Sequence, residues 1–131
     1  MSDRFFRWGF VAAGLFNLVI LVVSHGFTNQ VLFETDALFG AGGCAVIVLW
    51  GLAYMAVAPV YKQAWLVSAV FALEKLFFVV WWLRFLITRG DELPALWASD
   101  LASGFFYSTY GAGDAVFMVF FAIAAVRQRG G

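Results

Sequence analysis

Residues 64–86 read AWLVSAVFALEKLFFVVWWLRFL, and this stretch decides the fold. It exceeds the ~20 residues that a helix needs to cross the hydrocarbon core of a bilayer. It is apolar almost throughout, yet Glu74 and Lys75 stand side by side at its centre. It lacks the ~10-residue alternating pattern of a barrel strand. Three other segments share its length and character, at 5–23, 38–58 and 104–126, the second ending at Pro59. The four predict a single all-α membrane domain over residues 1–131, an antiparallel up-down bundle of four transmembrane helices.

The composition agrees. Hydrophobic residues make up 64% of the 131-residue chain and charged residues only 12%. A soluble domain carries about 25% charged residues, so the apolar excess must face lipid. Formal net charge is zero, which argues against a nucleic-acid partner. The one cysteine, Cys44, permits neither an intrachain disulfide nor a Cys-based zinc site. The first segment follows Arg4 and Arg7 as a signal peptide would. It is too long for one and ends in Ser24-His25-Gly26 rather than a small-residue cleavage site, so a retained anchor is expected.

Lys and Arg placement predicts orientation. Arg4, Arg7, Lys62, Arg127 and Arg129 fall on one side if the helices alternate, against Arg84 and Arg89 on the other. The latter side also holds Glu34, Asp36, Asp91, Glu92 and Asp100. Both termini are therefore expected in the cytoplasm. Trp8 and Trp65 would mark one interface and Trp81, Trp82 and Trp97 the other. The short second loop predicts a tight hairpin between the second and third helices. Leu93, Leu96, Trp97 and Leu101 repeat at helical spacing after Pro94, predicting a short interfacial helix over 93–101. Arg89-Gly90-Asp91 spells an adhesion tripeptide, which on one such loop is read as chance.

Helices associate in lipid through small and polar residues. Gly104, Tyr107, Gly111, Asp114, Met118, Phe121 and Ala125 form such a seam on the fourth helix. Gly40, Cys44, Ile47, Gly51, Tyr54 and Ala58 form one on the second. Ala13, Gly14, Asn17, Leu21 and Ser24 share a face of the first helix, and Ser68, Ala72 and Lys75 one of the third. Heptad seams predict a left-handed bundle with shallow crossings. Gly14, Gly40, Gly51, Gly104 and Gly111 are read as packing positions.

Counting from the helix ends places Asn17, Tyr54, Glu74, Lys75 and Asp114 within about two turns of one depth, one or more from every helix. A charge at the bilayer centre costs ~2.5–3.5 kcal/mol on insertion scales, so these groups should face inward and pair. Lys75 with Asp114 is the expected pair, and Glu74, turned ~100° away, should point elsewhere. Two carboxylates against one ammonium leave one negative charge, to be met by a proton or a cation. The same residues also suit a pin that fixes helix register, and the sequence leaves both readings open.

Other chemistry finds little basis. His25 is the only histidine, which excludes a bis-histidine haem site within the chain, and no metal-ligand spacing surrounds it. Ser24, Ser68 and Ser108 lack a His/Asp constellation. Gly40-Ala41-Gly42-Gly43 lacks the Lys-Ser/Thr of a phosphate loop. No cofactor or metal is expected. The aromatic residues of the third helix suit lipid contact or the lining of an apolar ligand cavity.

Gly14-Leu15-Phe16-Asn17, Gly51-Leu52-Ala53-Tyr54, Lys75 and Gly113-Asp114-Ala115-Val116-Phe117 resemble a class of small, uncharacterised four-helix bacterial inner-membrane proteins. The resemblance runs over nearly the whole chain. It implies a four-helix bundle and a bacterial source, and no activity, substrate or cofactor. Glu74 lies outside the shared pattern. Three functions follow in order: a non-enzymatic accessory subunit or oligomeric scaffold, a proton- or cation-coupled transporter built on the midplane cluster, and an enzyme or binding protein for an apolar small molecule. The partners they imply are the lipid bilayer, further copies or a larger membrane complex, and an apolar ligand.

Overall fold

Long apolar segments without polar side chains to satisfy their backbone do so internally, as helices. The computed structural model, which describes residues 2–130, is helical throughout, with no strand among those residues. Ser2 caps the first helix, its Oγ accepting a hydrogen bond from Phe5 N at 3.1 Å. Helix α1 (Asp3–Leu18) runs into α2 (Ile20–Val23) across a tightened step at Val19, whose N–H is shared between the Leu15 and Phe16 carbonyls. A turn with His25, Gly26 and Phe27 in the left-handed region leads to α3 (Gln30–Thr35). A 3-10 turn (Ala37–Phe39) precedes α4 (Ala41–Val57), and a second one (Ala58–Gln63) precedes α5 (Trp65–Arg89). Helix α6 (Leu93–Ser99) and the long α7 (Leu101–Arg129) complete the chain.

Four helical segments are long and apolar enough to cross a membrane: Asp3–Val23, Ala41–Gln63, Trp65–Ser99 and Leu101–Arg129. The sequence-based bounds differ in informative ways. Residues 38–40 belong to a capped turn rather than to the second long helix, because the Asp36 carboxylate accepts from Leu38 N at 3.0 Å and holds a 3-10 geometry there. Asp100 caps α7 three residues earlier than hydropathy places it, accepting from Ser103 N at 3.0 Å. Helix α3 is the one element hydropathy missed. Its signal was Asn29, which accepts from Leu32 N at 3.1 Å as an N-cap.

The long helices pair closely, α1 on α4 and α5 on α7. At the first contact Gly14 and Gly51 bring two backbones together. A Cβ on Gly51 would lie 2.9 Å from the Gly14 carbonyl oxygen and 2.8 Å from Asn17 Cβ. At the second, Gly111 accepts the Trp82 ring, and Gly104 sits against Trp97 of α6. Gly40 does not pack helices together. It is the N-cap of α4, and the nearest atom to an added Cβ would be the Ala37 carbonyl oxygen of its own turn, at 3.4 Å. Gly9 and Gly113 instead receive the rings of Phe120 and Phe16. On the first helix Ile20 turns inward and Leu21 outward.

Two apolar clusters fill the interior. One holds Phe6, Phe10, Tyr54, Tyr61, Phe71 and Phe121; the other holds Ile20, Leu32, Phe39, Phe85, Tyr107 and Tyr110. The buried Asn17 of α1, Lys75 of α5 and Asp114 of α7 each fall in sequence between members of the two clusters. The second cluster is closed by a polar clasp. Asn29 Nδ2 lies 2.8 Å from the Val23 carbonyl, 2.7 Å from Asp100 Oδ2 and 3.1 Å from Ser103 Oγ. Tyr107 donates to the Leu32 carbonyl at 2.8 Å, and Arg89 to the Thr35 carbonyl at 2.7 Å. Trp81 and Trp82 spend their N–H groups within the protein, on Asp36 and on the Tyr107 carbonyl.

Burial acts to raise the Asp100 carboxyl, but hydrogen bonds from Ser103 and Asn29 outweigh it and hold the group below the usual aspartate range. The clasp's stabilisation is therefore present above the ordinary aspartate value of about 4 and lost as pH falls below it. Two substitutions test this packing, read as resistance to unfolding by SDS in mixed micelles. Gly51→Val should lower stability by about 1–3 kcal/mol or more, since neither backbone can yield. Asn29→Ala should cost about 1–3 kcal/mol, and the difference from the parent chain should shrink in acid as Asp100 is protonated.

Candidate midplane polar site

Four long helices deliver one polar network. Lys75, on the inward face of α5, is 1% exposed. Its Nζ donates to Asp114 Oδ1 of α7 at 2.8 Å and to Asn17 Oδ1 of α1 at 2.8 Å. Asn17 in turn donates from Nδ2 to the Ile47 carbonyl of α4 at 2.9 Å. The Phe16 and Tyr54 rings lie with their centroids 5.2 Å from the same ammonium group. The charge is thus met by a carboxylate, an amide oxygen and two aromatic faces.

Local sequence explains the approach. Glycine at 14 and at 51 lets α1 and α4 draw close enough for Asn17 to reach an α4 carbonyl. Residues 17 and 47 thereby join two helices through a backbone acceptor that is already used within α4, as carbonyls with two lone pairs permit. Glu74 occupies the next direction around α5. It is half-buried and accepts a hydrogen bond from the Tyr54 hydroxyl. All five midplane residues named from sequence therefore meet in two linked sets: Lys75, Asp114 and Asn17 in one, and Tyr54 with Glu74 in the other. Tyr54 joins the sets, bonding Glu74 through its hydroxyl and facing Lys75 with its ring.

A buried pair of this kind gains Coulomb energy in a low dielectric and loses the hydration of both ions, so its net worth as a pair is small. Its worth against breakage is large. An ammonium or carboxylate left alone there keeps its desolvation cost without the partner that offsets it.

The network borders a cavity of about 80 Å³. Asn17, Glu74, Lys75 and Asp114 line it on one side, with Phe16, Phe39, Phe78 and Phe106 among its apolar walls. Tyr110 also lines it, and the buried Tyr110 hydroxyl has no hydrogen-bond partner among the described residues. Sequence reasoning missed Phe16, Tyr110 and the cavity. A signal for Tyr110 existed, since it precedes Asp114 by one helical turn on the same face. His25 stands apart from the cluster, with Nε2 3.7 Å from Asp100 Oδ1. Cys44 is buried and donates to the Phe39 carbonyl at 3.4 Å. Among the described residues no three His, Cys, Asp or Glu side chains gather as a metal-binding group.

The pair predicts a sign reversal between single and double substitution. Lys75→Met alone strands Asp114 and should destabilise the bundle by about 3–5 kcal/mol. Lys75→Met with Asp114→Leu removes both charges and should return stability to near that of the parent, measured by the same SDS titration.

No protein-family model matches the chain, and no curated protein or solved structure is significantly similar to it.

Proposed function

We propose that the protein is a multi-pass, non-enzymatic module of the bacterial inner membrane that serves as an accessory subunit or oligomeric scaffold. In this reading its helices form an antiparallel, left-handed bundle with both termini in the cytoplasm. The observation that carries it is the midplane network, in which side chains of α1 and α7 accept from one buried ammonium group of α5, and the α1 partner, Asn17, in turn donates to a carbonyl of α4. An arrangement that commits its most reactive amine to two internal partners suits a register pin.

The orientation draws support from the end that holds Asp3. Its carboxylate lies 2.9 Å from Arg7 and 3.4 Å from Lys62, so cationic residues of the N-terminus and of the 58–63 turn stand together. Arg127 and Arg129 follow in the last turn of α7. Clustered Lys and Arg of this kind favour the cytoplasmic face.

A scaffold role draws support from α4. Gly42, Ala45, Leu49, Leu52 and Ala56 lie on its exposed side, where small residues next to leucines leave a notch of the sort into which a second helix packs in lipid. A Cβ on Gly42 would meet nothing within 4 Å inside the chain. Gly42→Leu should therefore leave the fold intact and dissociate the assembly, seen as a loss of mass by light scattering after gentle extraction. A parent chain that is strictly monomeric and free of co-purifying protein would contradict the scaffold reading.

A further inference from the structure

The cavity beside the network is not explained by a register pin. A pin is best built solid, and here the carboxylates of Asp114 and Glu74 both line an open space. Asp114 Oδ1 takes the Lys75 hydrogen bond and Glu74 Oε1 takes that of Tyr54. The second oxygen of each accepts no hydrogen bond from the described residues. The unspent polar atoms around the space are therefore these carboxylate oxygens and the Tyr110 hydroxyl, which can accept as well as donate, while Lys75 Nζ is held by Asp114 and Asn17.

Charge points the same way. Lys75 neutralises one carboxylate, and the other remains. Aromatic rings line the same space, those of Phe39, Phe78, Phe106 and Phe16. Carboxylate oxygens facing aromatic rings favour a cation that carries N–H groups.

Size limits what enters. A cavity of ~150 Å³ is needed to hold a benzene ring, and this one measures about 80 Å³. It holds a small head group and no ring. Val19 and Phe105 also line it, and they are 49% and 55% exposed on the outer surface of the helices. The space thus opens sideways between the α1–α2 step and α7, toward the side a lipid chain would occupy. A single alkyl tail fits that exit.

We propose that the cleft between the Val19 step and α7 is a binding site for a single-chain lipophilic primary amine, its ammonium head seated against Asp114 and Glu74 and its tail lying along Val19 and Phe105. The head enters as a cation, and where Glu74 holds a proton in the empty site that proton leaves on binding. Glu74 is faced by Tyr54 from α4, Asp114 from α7 and the uncharged Asn17 from α1, with Lys75 adjacent on its own helix. Acid therefore competes with the amine.

The test uses the full chain in phosphatidylcholine nanodiscs, dialysed against radiolabelled decylamine with empty nanodiscs as the partition reference. At about pH 8 the amine is still charged, and one saturable site per chain is expected above partition. Affinity should fall in acid, as the carboxylates that seat the ammonium take up protons. Decanol, decanoate and decyltrimethylammonium should show partition only. Glu74→Gln keeps an acceptor for Tyr54 and should weaken binding on the order of tenfold or more. Val19→Trp leaves the charged groups untouched and should block the exit with the same loss. Circular dichroism checks that both variants remain helical. No saturable decylamine site, an equal one for decanol, or indifference to both variants would overturn the proposal. The scaffold reading is judged separately by its mass measurement, since a scaffold stands with or without this site.

Discussion

An ammonium group in the middle of an apolar bundle admits few neighbours, and the rest of this structure is arranged to supply them. Lys75 needs a carboxylate, so α7 must present Asp114 at its depth. It needs a second acceptor, so α1 must present Asn17. Asn17 needs somewhere to place its own N–H, and finds the Ile47 carbonyl only because Gly14 and Gly51 allow α1 and α4 to touch. Each requirement fixes one helix against another in both rotation and height. Apolar packing alone tolerates sliding, since one aliphatic contact replaces another at little cost. A polar network of this kind does not, because a slipped partner leaves a buried group unmet.

The two halves of the interior follow from this layer. On one side aromatic residues near the N-terminus of α1 stack on the 58–63 turn that follows α4, as where Phe6 lies against Tyr61 with ring centroids 5.5 Å apart. On the other, the connections between long helices are themselves ordered, by the Asn29 and Asp100 clasp and by Tyr107 reaching Leu32. The cavity lies where the layer meets the second half, beside the Val19 step, and the lining residues there are larger and less closely fitted than the glycine contacts of α1 and α4. A tightly pinned side and an open side thus share the same charged pair.

Much of this was legible in the chain. Four apolar runs of bilayer length leave no choice but helix, and a charged residue within such a run must face inward, so Lys75 and Asp114 name each other. What periodicity does not carry is capping. Asp36 caps the 3-10 turn ahead of α4 and Asp100 caps α7, each through a hydrogen bond to a backbone N–H, and hydropathy is blind to those. It also overlooked α3, whose six residues are too few to show a period. Gly40 looked like a packing glycine because it continued a spacing, whereas its backbone serves as a cap. The cavity was beyond reach for a different reason. Absence of atoms depends on how Phe16, Phe39 and Phe106 turn, and that is settled by packing between helices rather than by residue type.

The whole arrangement depends on Lys75 being a charged ammonium bonded to Asp114 in the interior of the folded bundle. Solid-state NMR of the protein in lipid bilayers, with ¹⁵N-lysine and ¹³C-aspartate labels, tests it most directly, because Lys62 and Lys75 are the only lysines and a Lys62→Arg chain leaves one signal. The expected result is an ammonium-range Nζ shift and strong dipolar coupling to one aspartate carboxyl carbon, consistent with the 2.8 Å contact, that disappears in Asp114→Asn. A neutral amine shift, or an Nζ with no carboxyl within coupling range, would contradict it.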